Sequence, residues 1–125
     1  MAKKRLLIID DTDDITTPLK LYLEKDGLYE VRVENRGSLG VAAAKEFKPD
    51  LVLLDVMMPD MDGGDVAAQM EEDPSTQYIP IVFLTAAVTK EEAASQSSAA
   101  GSRPILSKLT SLQEIITYVK QKLGP

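Results

Sequence analysis

The side chains able to do chemistry in this chain are carboxylates, hydroxyls and lysines. The sequence contains no histidine and no cysteine, which excludes imidazole general bases, thiolate nucleophiles, zinc-thiolate centres and disulfides together. The candidates stand at or just beyond the ends of short apolar runs. Asp10 and Asp11 follow Leu6 to Ile9, Asp55 follows Leu51 to Leu54, Thr85 follows Ile79 to Leu84, and Lys108 comes shortly after Pro104 to Leu106. If those ends face the same side of one fold, three carboxylates converge and repel one another. A divalent cation that prefers oxygen, keeps some waters and is satisfied by one or two carboxylates relieves the repulsion, and Mg²⁺ fits that description. An aspartate beside such a cation can attack a phosphoryl group to give an acyl phosphate, while an ammonium and a hydroxyl neutralise the transferring oxygens. Asp55, Lys108 and Thr85 are the residues of the right type for those three parts.

The elements that must position these residues are legible in the hydrophobic pattern. Leu6 to Ile9, Leu51 to Leu54 and Ile79 to Leu84 are continuous apolar runs, the mark of strands covered on both faces. Tyr29 to Glu34 alternates Tyr, Val, Val with Glu, Arg, Glu, so it reads as an edge strand with one face open to water. The fifth run carries Pro104, which a central ladder does not tolerate, and takes the other edge. Helical stretches separate the runs, which implies βαβ units, a parallel sheet and helices on both faces. The expected fold is α/β, a flavodoxin-like doubly wound sheet of five strands in the order 2-1-3-4-5 with five helices. In that order the chain reverses direction between strands 1 and 3, and ligands bind at that crevice beyond the carboxyl ends of the strands.

Helix ends are less evenly marked. Ser111 with Glu114 forms a capping box, and Leu112, Ile115, Ile116, Val119 and Leu123 form one apolar stripe on the last helix. The helix after the fourth strand has Thr89 and Glu92 to cap it, but a body of alanine, serine and glutamine from 93 to 100, which predicts weak anchoring and mobility. The first helix has two candidate starts, Asp14 as a cap or Thr17 followed by Pro18.

Composition narrows the function. At 125 residues the chain suits one domain, large enough to bury roughly two-thirds of its unfolded surface. With 44% apolar and 27% charged residues it has the balance of a folded globular protein. A net charge of -6 disfavours nucleic acid and anionic lipid and suits basic protein partners. No run approaches membrane-spanning length, the basic start is not followed by a signal-peptide core, and a reducing cytoplasm is the expected location.

The residues Leu7 to Asp11, Asp50 to Gly63 (DLVLLDVMMPDMDG), Pro80 to Ala86 (PIVFLTA) and Ser107-Lys108 together resemble the receiver domains of two-component response regulators, over essentially the whole chain. The resemblance implies a single receiver domain over 1–125, and the sequence itself leaves nothing after Pro125 that is expected to be an output domain. It implies that Asp55 accepts a phosphoryl group from a phosphohistidine on a sensor kinase or phosphotransfer protein, or from a small phosphodonor. It implies Mg²⁺ held by Asp10, Asp11, Asp55 and the Met57 main-chain carbonyl, with Thr85 bonding the phosphoryl oxygen and Lys108 pairing with it. Phosphorylation would then alter a protein-binding face formed by the 89–100 helix, the fifth strand and the last helix, in a monomer or weak dimer.

Two positions depart from the family pattern. Leu109 stands where the family has a proline joined by a cis bond, and Ile105 where it has a switching aromatic. A cis bond before a residue other than proline costs about 2.5–4 kcal/mol, so a trans Lys108–Leu109 bond is expected. These departures raise an alternative, an interaction module that keeps the fold and switches weakly or not at all.

Simpler explanations stand beside each assignment. Asp10 and Asp11 can cap the first helix, Thr85 can be an ordinary strand end and Lys108 a solvated lysine. Asp55 has no helix directly after it to cap. Asp60 to Gly63 hints at a calcium loop but lacks the required ligand spacing, and reads as a loop eased by Gly63 and Gly64. Asp11-Thr12-Asp13 loosely echoes the paired aspartates of haloacid-dehalogenase-like phosphatases, a reading that leaves Asp55 without a role.

Overall fold

In the computed structural model of the chain, residues 3–86, 91–92 and 103–124 are described. Five strands, β1 (Lys4–Ile9), β2 (Tyr29–Glu34), β3 (Leu51–Asp55), β4 (Ile81–Thr85) and β5 (Ile105–Ser107), form one sheet in the order β2-β1-β3-β4-β5. Every pairing is parallel. Among the described residues four α-helices accompany it: α1 (Asp13–Glu24), α2 (Gly40–Phe47) after a 3₁₀ turn at Gly37–Leu39, α3 (Gly63–Glu72) and α4 (Leu112–Leu123). Of the helix expected at 89–100, only Glu91 and Glu92 are described, and both are helical; Thr89 and 93–100 lie outside the described residues.

The pleat sorts the apolar runs onto two faces. Leu6, Ile8, Leu51 and Leu53 point to one side, where Leu19 and Leu23 of α1 and Ile115, Ile116 and Val119 of α4 meet them. Leu7, Ile9, Val52 and Leu54 point to the other, against Ala43 and Ala44 of α2 and Val66, Ala67 and Met70 of α3. Strand side chains alternate faces, so a run buried throughout needs a helical layer on each side. Fully burying each large apolar side chain contributes about 1.5–3 kcal/mol, and these two layers hold the central strand ends in place.

β4, β5 and α1 do not begin where the sequence pattern suggests, the two strands because of proline. β4 begins at Ile81, since Pro80 has no N–H and serves only as an acceptor, its carbonyl taking the Val52 N–H at 3.0 Å. β5 begins one residue past Pro104, whose carbonyl accepts from Phe83 N at 2.9 Å. Neither candidate start of α1 is used: Thr12 is the N-cap residue, and Pro18 lies inside the helix. There the ring forfeits a hydrogen bond to the Asp14 carbonyl, and the buried stripe of Thr16, Leu19 and Leu23 carries the helix through it. α4 starts as its sequence implies, with Ser111 Oγ accepting from Glu114 N at 3.2 Å.

Candidate functional site

At the carboxyl end of the sheet the strand tips bring the expected residues together. Asp10 follows β1 directly and its own N–H bonds the Glu34 carbonyl at 3.0 Å, which extends the β1–β2 ladder and leaves the side chain aimed across the strand ends. It is fully buried. Its Oδ1 accepts from Thr12 N at 2.9 Å, a short turn that ends the strand and leads into α1. This bond closes a turn ahead of the helix and is not a cap, since Thr12 is itself the N-cap residue.

Asp55 closes β3 with 4% of its surface exposed. Met57 N donates to its Oδ1 at 3.3 Å. One carboxylate oxygen from each of Asp10, Asp11 and Asp55 lies within 4.8 Å of the others, with Asp11 at the solvent edge. Lys108 enters from the loop after β5, held by its main-chain N–H on the Thr85 carbonyl at 2.8 Å. Its ammonium sits 2.8 Å and 3.0 Å from the two Asp10 oxygens and 3.3 Å from Asp55 Oδ2. A cleft of about 420 Å³ opens over this cluster, lined by Asp11, Thr12, Asp55, Met57, Thr85, Ala86 and Lys108.

The electrostatics follow from the crowding. Burial, and then the neighbouring charge of Asp10, raise the Asp55 carboxyl from the usual 3.8 to about 6, against the opposing pull of Lys108 and the Met57 hydrogen bond. Burial alone would lower the Lys108 ammonium, but the hydrogen bond and charge of Asp10, joined by Asp55, hold it above the ordinary lysine value. One ammonium set against three carboxylates leaves two negative charges. An all-oxygen donor set with that surplus matches a hard divalent cation such as Mg²⁺.

The sequence candidates Asp10, Asp11, Asp55, Thr85 and Lys108 border one site. Leu109 does not remove Lys108 from it. Among the described residues no peptide bond is cis, as expected for Lys108–Leu109, and the lysine reaches both buried carboxylates from a trans loop in which Leu109 N donates to Ser107 Oγ at 3.0 Å. Ile105 lies half-buried in register with Phe83.

Two positioning residues are not evident in the sequence. Asp60 stands outside the carboxylate cluster, and its carboxylate accepts from Gly37 N at 3.2 Å and Ser38 N at 3.0 Å. Those hydrogen bonds, Ser38 first, hold its carboxyl below the usual range and tie the loop after β3 to the loop after β2. Gly63, whose N–H bonds the Val56 carbonyl at 2.8 Å, packs so closely that a Cβ there would lie 2.2 Å from the Asp55 carbonyl oxygen. Asp60 meets a partner more than twenty residues away, which no local pattern encodes. Gly63 with Gly64 marks a loop in the sequence, but not the close approach to Asp55. Asp13, the second member of the phosphatase-like pair, lies in the first turn of α1 and accepts from Asn35 Nδ2 at 3.2 Å.

Known proteins share both sequence and structure with this chain. The family profile "Response regulator receiver domain" matches residues 6–120. Protein PilH of Pseudomonas aeruginosa is 40% identical over 81 residues, 65% of this chain and 66% of that protein. The DNA-binding dual master transcriptional regulator RpaA of Synechocystis is 34% identical over 119 residues, 95% of this chain and 48% of that protein. The match to the response regulator PleD of Caulobacter vibrioides, 40% identical over 82 residues, takes in 66% of this chain and only 18% of PleD. Among solved structures, a CheY-like response regulator receiver domain protein from Methanospirillum hungatei superposes with a TM-score of 0.78 at 26% identity, covering 98% of this chain and 94% of that one. The non-phosphorylated HemR receiver domain from Leptospira biflexa gives 0.79 at 26% identity, covering 98% and 96%. With the family profile matched from the first strand into the last helix and the acidic strand tips gathered under a lysine, this chain belongs to the response regulator receiver domains.

Proposed function

We propose that Asp55 is the phosphoacceptor of a signalling switch spanning this chain as one receiver domain, and that it acts with Mg²⁺ held by Asp10, Asp11, Asp55 itself and the Met57 carbonyl. The observation that carries this is the Asp55 carboxylate, buried at the tip of β3 yet bordering an open cleft, with two carboxylates within 4.8 Å and an ammonium at 3.3 Å. When bound, the cation supplies positive charge to the phosphoryl oxygens. An Asp55 oxygen attacks phosphorus in line, the bond from phosphorus to the donor nitrogen or oxygen breaks, and its electron pair leaves with the donor. Lys108 offsets the charge gathered on the acyl phosphate, and the Thr85 hydroxyl donates to one of its oxygens.

The donors that suit this site are a phosphohistidine on a sensor kinase or phosphotransfer protein and small acyl phosphates. The read-out is a protein target on the face of β5, α4 and the segment between β4 and β5, reached through the Lys108 main-chain link to Thr85. The two states differ there only by what the phosphoryl group draws to Thr85 and Lys108, which is the differential contact a switch needs. Lys108 within reach of both buried carboxylates despite Leu109 supports this reading over an interaction module that does not switch. The acidic surface, net -6, favours protein partners over nucleic acid or anionic membrane, and no helix among the described residues is long and apolar enough to cross a membrane.

Intact-mass measurement after incubation with acetyl phosphate and Mg²⁺ tests the assignment. One phosphoryl adduct is expected, lost with chelator and absent in Asp55→Asn. An adduct that persists in Asp55→Asn would overturn it.

A further inference from the structure

The cleft over Asp55 has one wall whose side chain the phosphotransfer reading does not use. Met57 is 66% exposed and lines that cleft beside Asp55, Thr85 and Lys108. Its main chain is tied to the acceptor, since Met57 N donates to Asp55 Oδ1, so the thioether cannot move far from the site. The other described methionines are shielded: Met58 is 7% exposed, Met70 is fully buried, and Met61 is half-buried against the α2–α3 layer. The chain has no cysteine and no tryptophan, which leaves a methionine thioether as its most readily oxidised group.

We propose that the Met57 thioether is an oxidation site, and that its sulfoxide lowers phosphoryl loading of Asp55; the second half rests on Asp55 being the phosphoacceptor. The oxidant is a peroxide. Sulfur attacks one peroxide oxygen, the O–O bond breaks as the S–O bond forms, and the proton on the transferred oxygen goes to the departing hydroxide, which leaves as water. Sulfur is oxidised and the peroxide reduced.

The consequence follows from what replaces the thioether. A flexible apolar group becomes a polar one with a strong acceptor oxygen, placed at the entrance of a site that already carries three carboxylates and one ammonium. That oxygen repels an incoming phosphoryl anion and competes for the Lys108 ammonium. It also replaces an apolar cover with one that attracts water, so the acyl phosphate hydrolyses sooner. Slower loading and faster loss act in the same direction.

Graded hydrogen peroxide treatment of the full chain, read by peptide mapping, should give sulfoxide at Met57 before Met58, Met61 and Met70, with Met1 scored on its own peptide. Peroxide-treated protein should then load severalfold less phosphoryl group from acetyl phosphate and Mg²⁺ than untreated protein, and methionine sulfoxide reductase should restore it. In Met57→Leu the treated and untreated samples should load equally. Met57→Gln, which carries a permanent side-chain carbonyl, should show the loss without peroxide. The inference is overturned if Met57 is not oxidised first, if oxidised and unoxidised protein load alike, or if Met57→Leu loses loading on treatment as the native chain does. If the untreated native chain takes no label at all, the phosphoacceptor assignment itself falls.

Discussion

The first residue of α3, Gly63, lies so close to Asp55 that a methyl group on it would meet the Asp55 carbonyl oxygen at 2.2 Å and the Val56 Cα at 2.9 Å. Both obstacles are backbone, so neither can swing aside. The approach seats the helix start against the strand tip and thereby sets where the Asp55 side chain leaves the sheet.

Gly63→Ala should therefore lower stability by about 1–3 kcal/mol, the usual range for overpacking, and displace Asp55. Chemical denaturation gives the first quantity. Unchanged stability would mean that α3 is free to shift. Gly64→Ala is the matched control, because nothing lies within 4 Å of a Cβ at that position.

Lys108 is the cation that balances Asp10 and Asp55, and its side chain is 10% exposed. Lys108→Met should destabilise the metal-free protein by about 2–3 kcal/mol, somewhat less than the usual cost of orphaning a buried charge. The reason is that Asp55, already raised to about 6, can take up a proton in response. Urea denaturation without divalent ions checks this, and a variant as stable as the native chain would show that the ion pairs contribute nothing net.

Mg²⁺ should raise the melting temperature of the native chain, because an ion that binds only the folded state stabilises it, by about 2.7 kcal/mol at a concentration 100 times its dissociation constant. In Asp11→Asn, where one carboxylate of the cluster is neutral, the shift should shrink. Calorimetry with Mg²⁺ and with chelator measures it, and equal shifts in both proteins would remove Asp11 from the ligand set.

Asp73, at the end of α3, supplies a pH test away from the site. Its carboxyl is lowered to about 2, first by the hydrogen bond from Lys45, whose ammonium is 2.5 Å away, and then by Ser75. A carboxyl depressed in the folded state stabilises it fully above the ordinary value of 3.8, and that contribution is lost as pH falls through about 2. The carboxyl carbon of Asp73, followed by NMR, should titrate near the lower value and move upward in Lys45→Met. A midpoint that stays put in the variant would rule out Lys45 as the main cause.

The parts legible in the sequence are those in which one physical rule decides alone. Strands covered on both faces must be apolar throughout, so β1, β3 and β4 show as runs, and the half-exposed β2 shows as an alternation with the observed bounds Tyr29–Glu34. Given the resulting strand order, a ligand crevice at the carboxyl ends follows from topology, and Asp10, Asp11, Asp55, Thr85 and Lys108 are placed at it without any distance being known. The Ser111 cap was equally plain, because both of its partners lie within one helical turn.

What the tertiary structure alone decided involves groups far apart in the chain competing for the same space or charge. α1 starts after Thr12, whose N–H closes a turn on the Asp10 carboxylate, and the burial of Leu19 and Leu23 overrode the proline signal at Pro18. Lys108 sits closer to Asp10 than to Asp55, a choice set by where β1, β3 and β5 place their ends, nearly one hundred residues apart. Residue types and their periodicity therefore determined which groups meet at the strand tips. The packing of two helical layers on the sheet determined which oxygen faces which nitrogen, because a difference of half an ångström depends on every side chain buried beneath it.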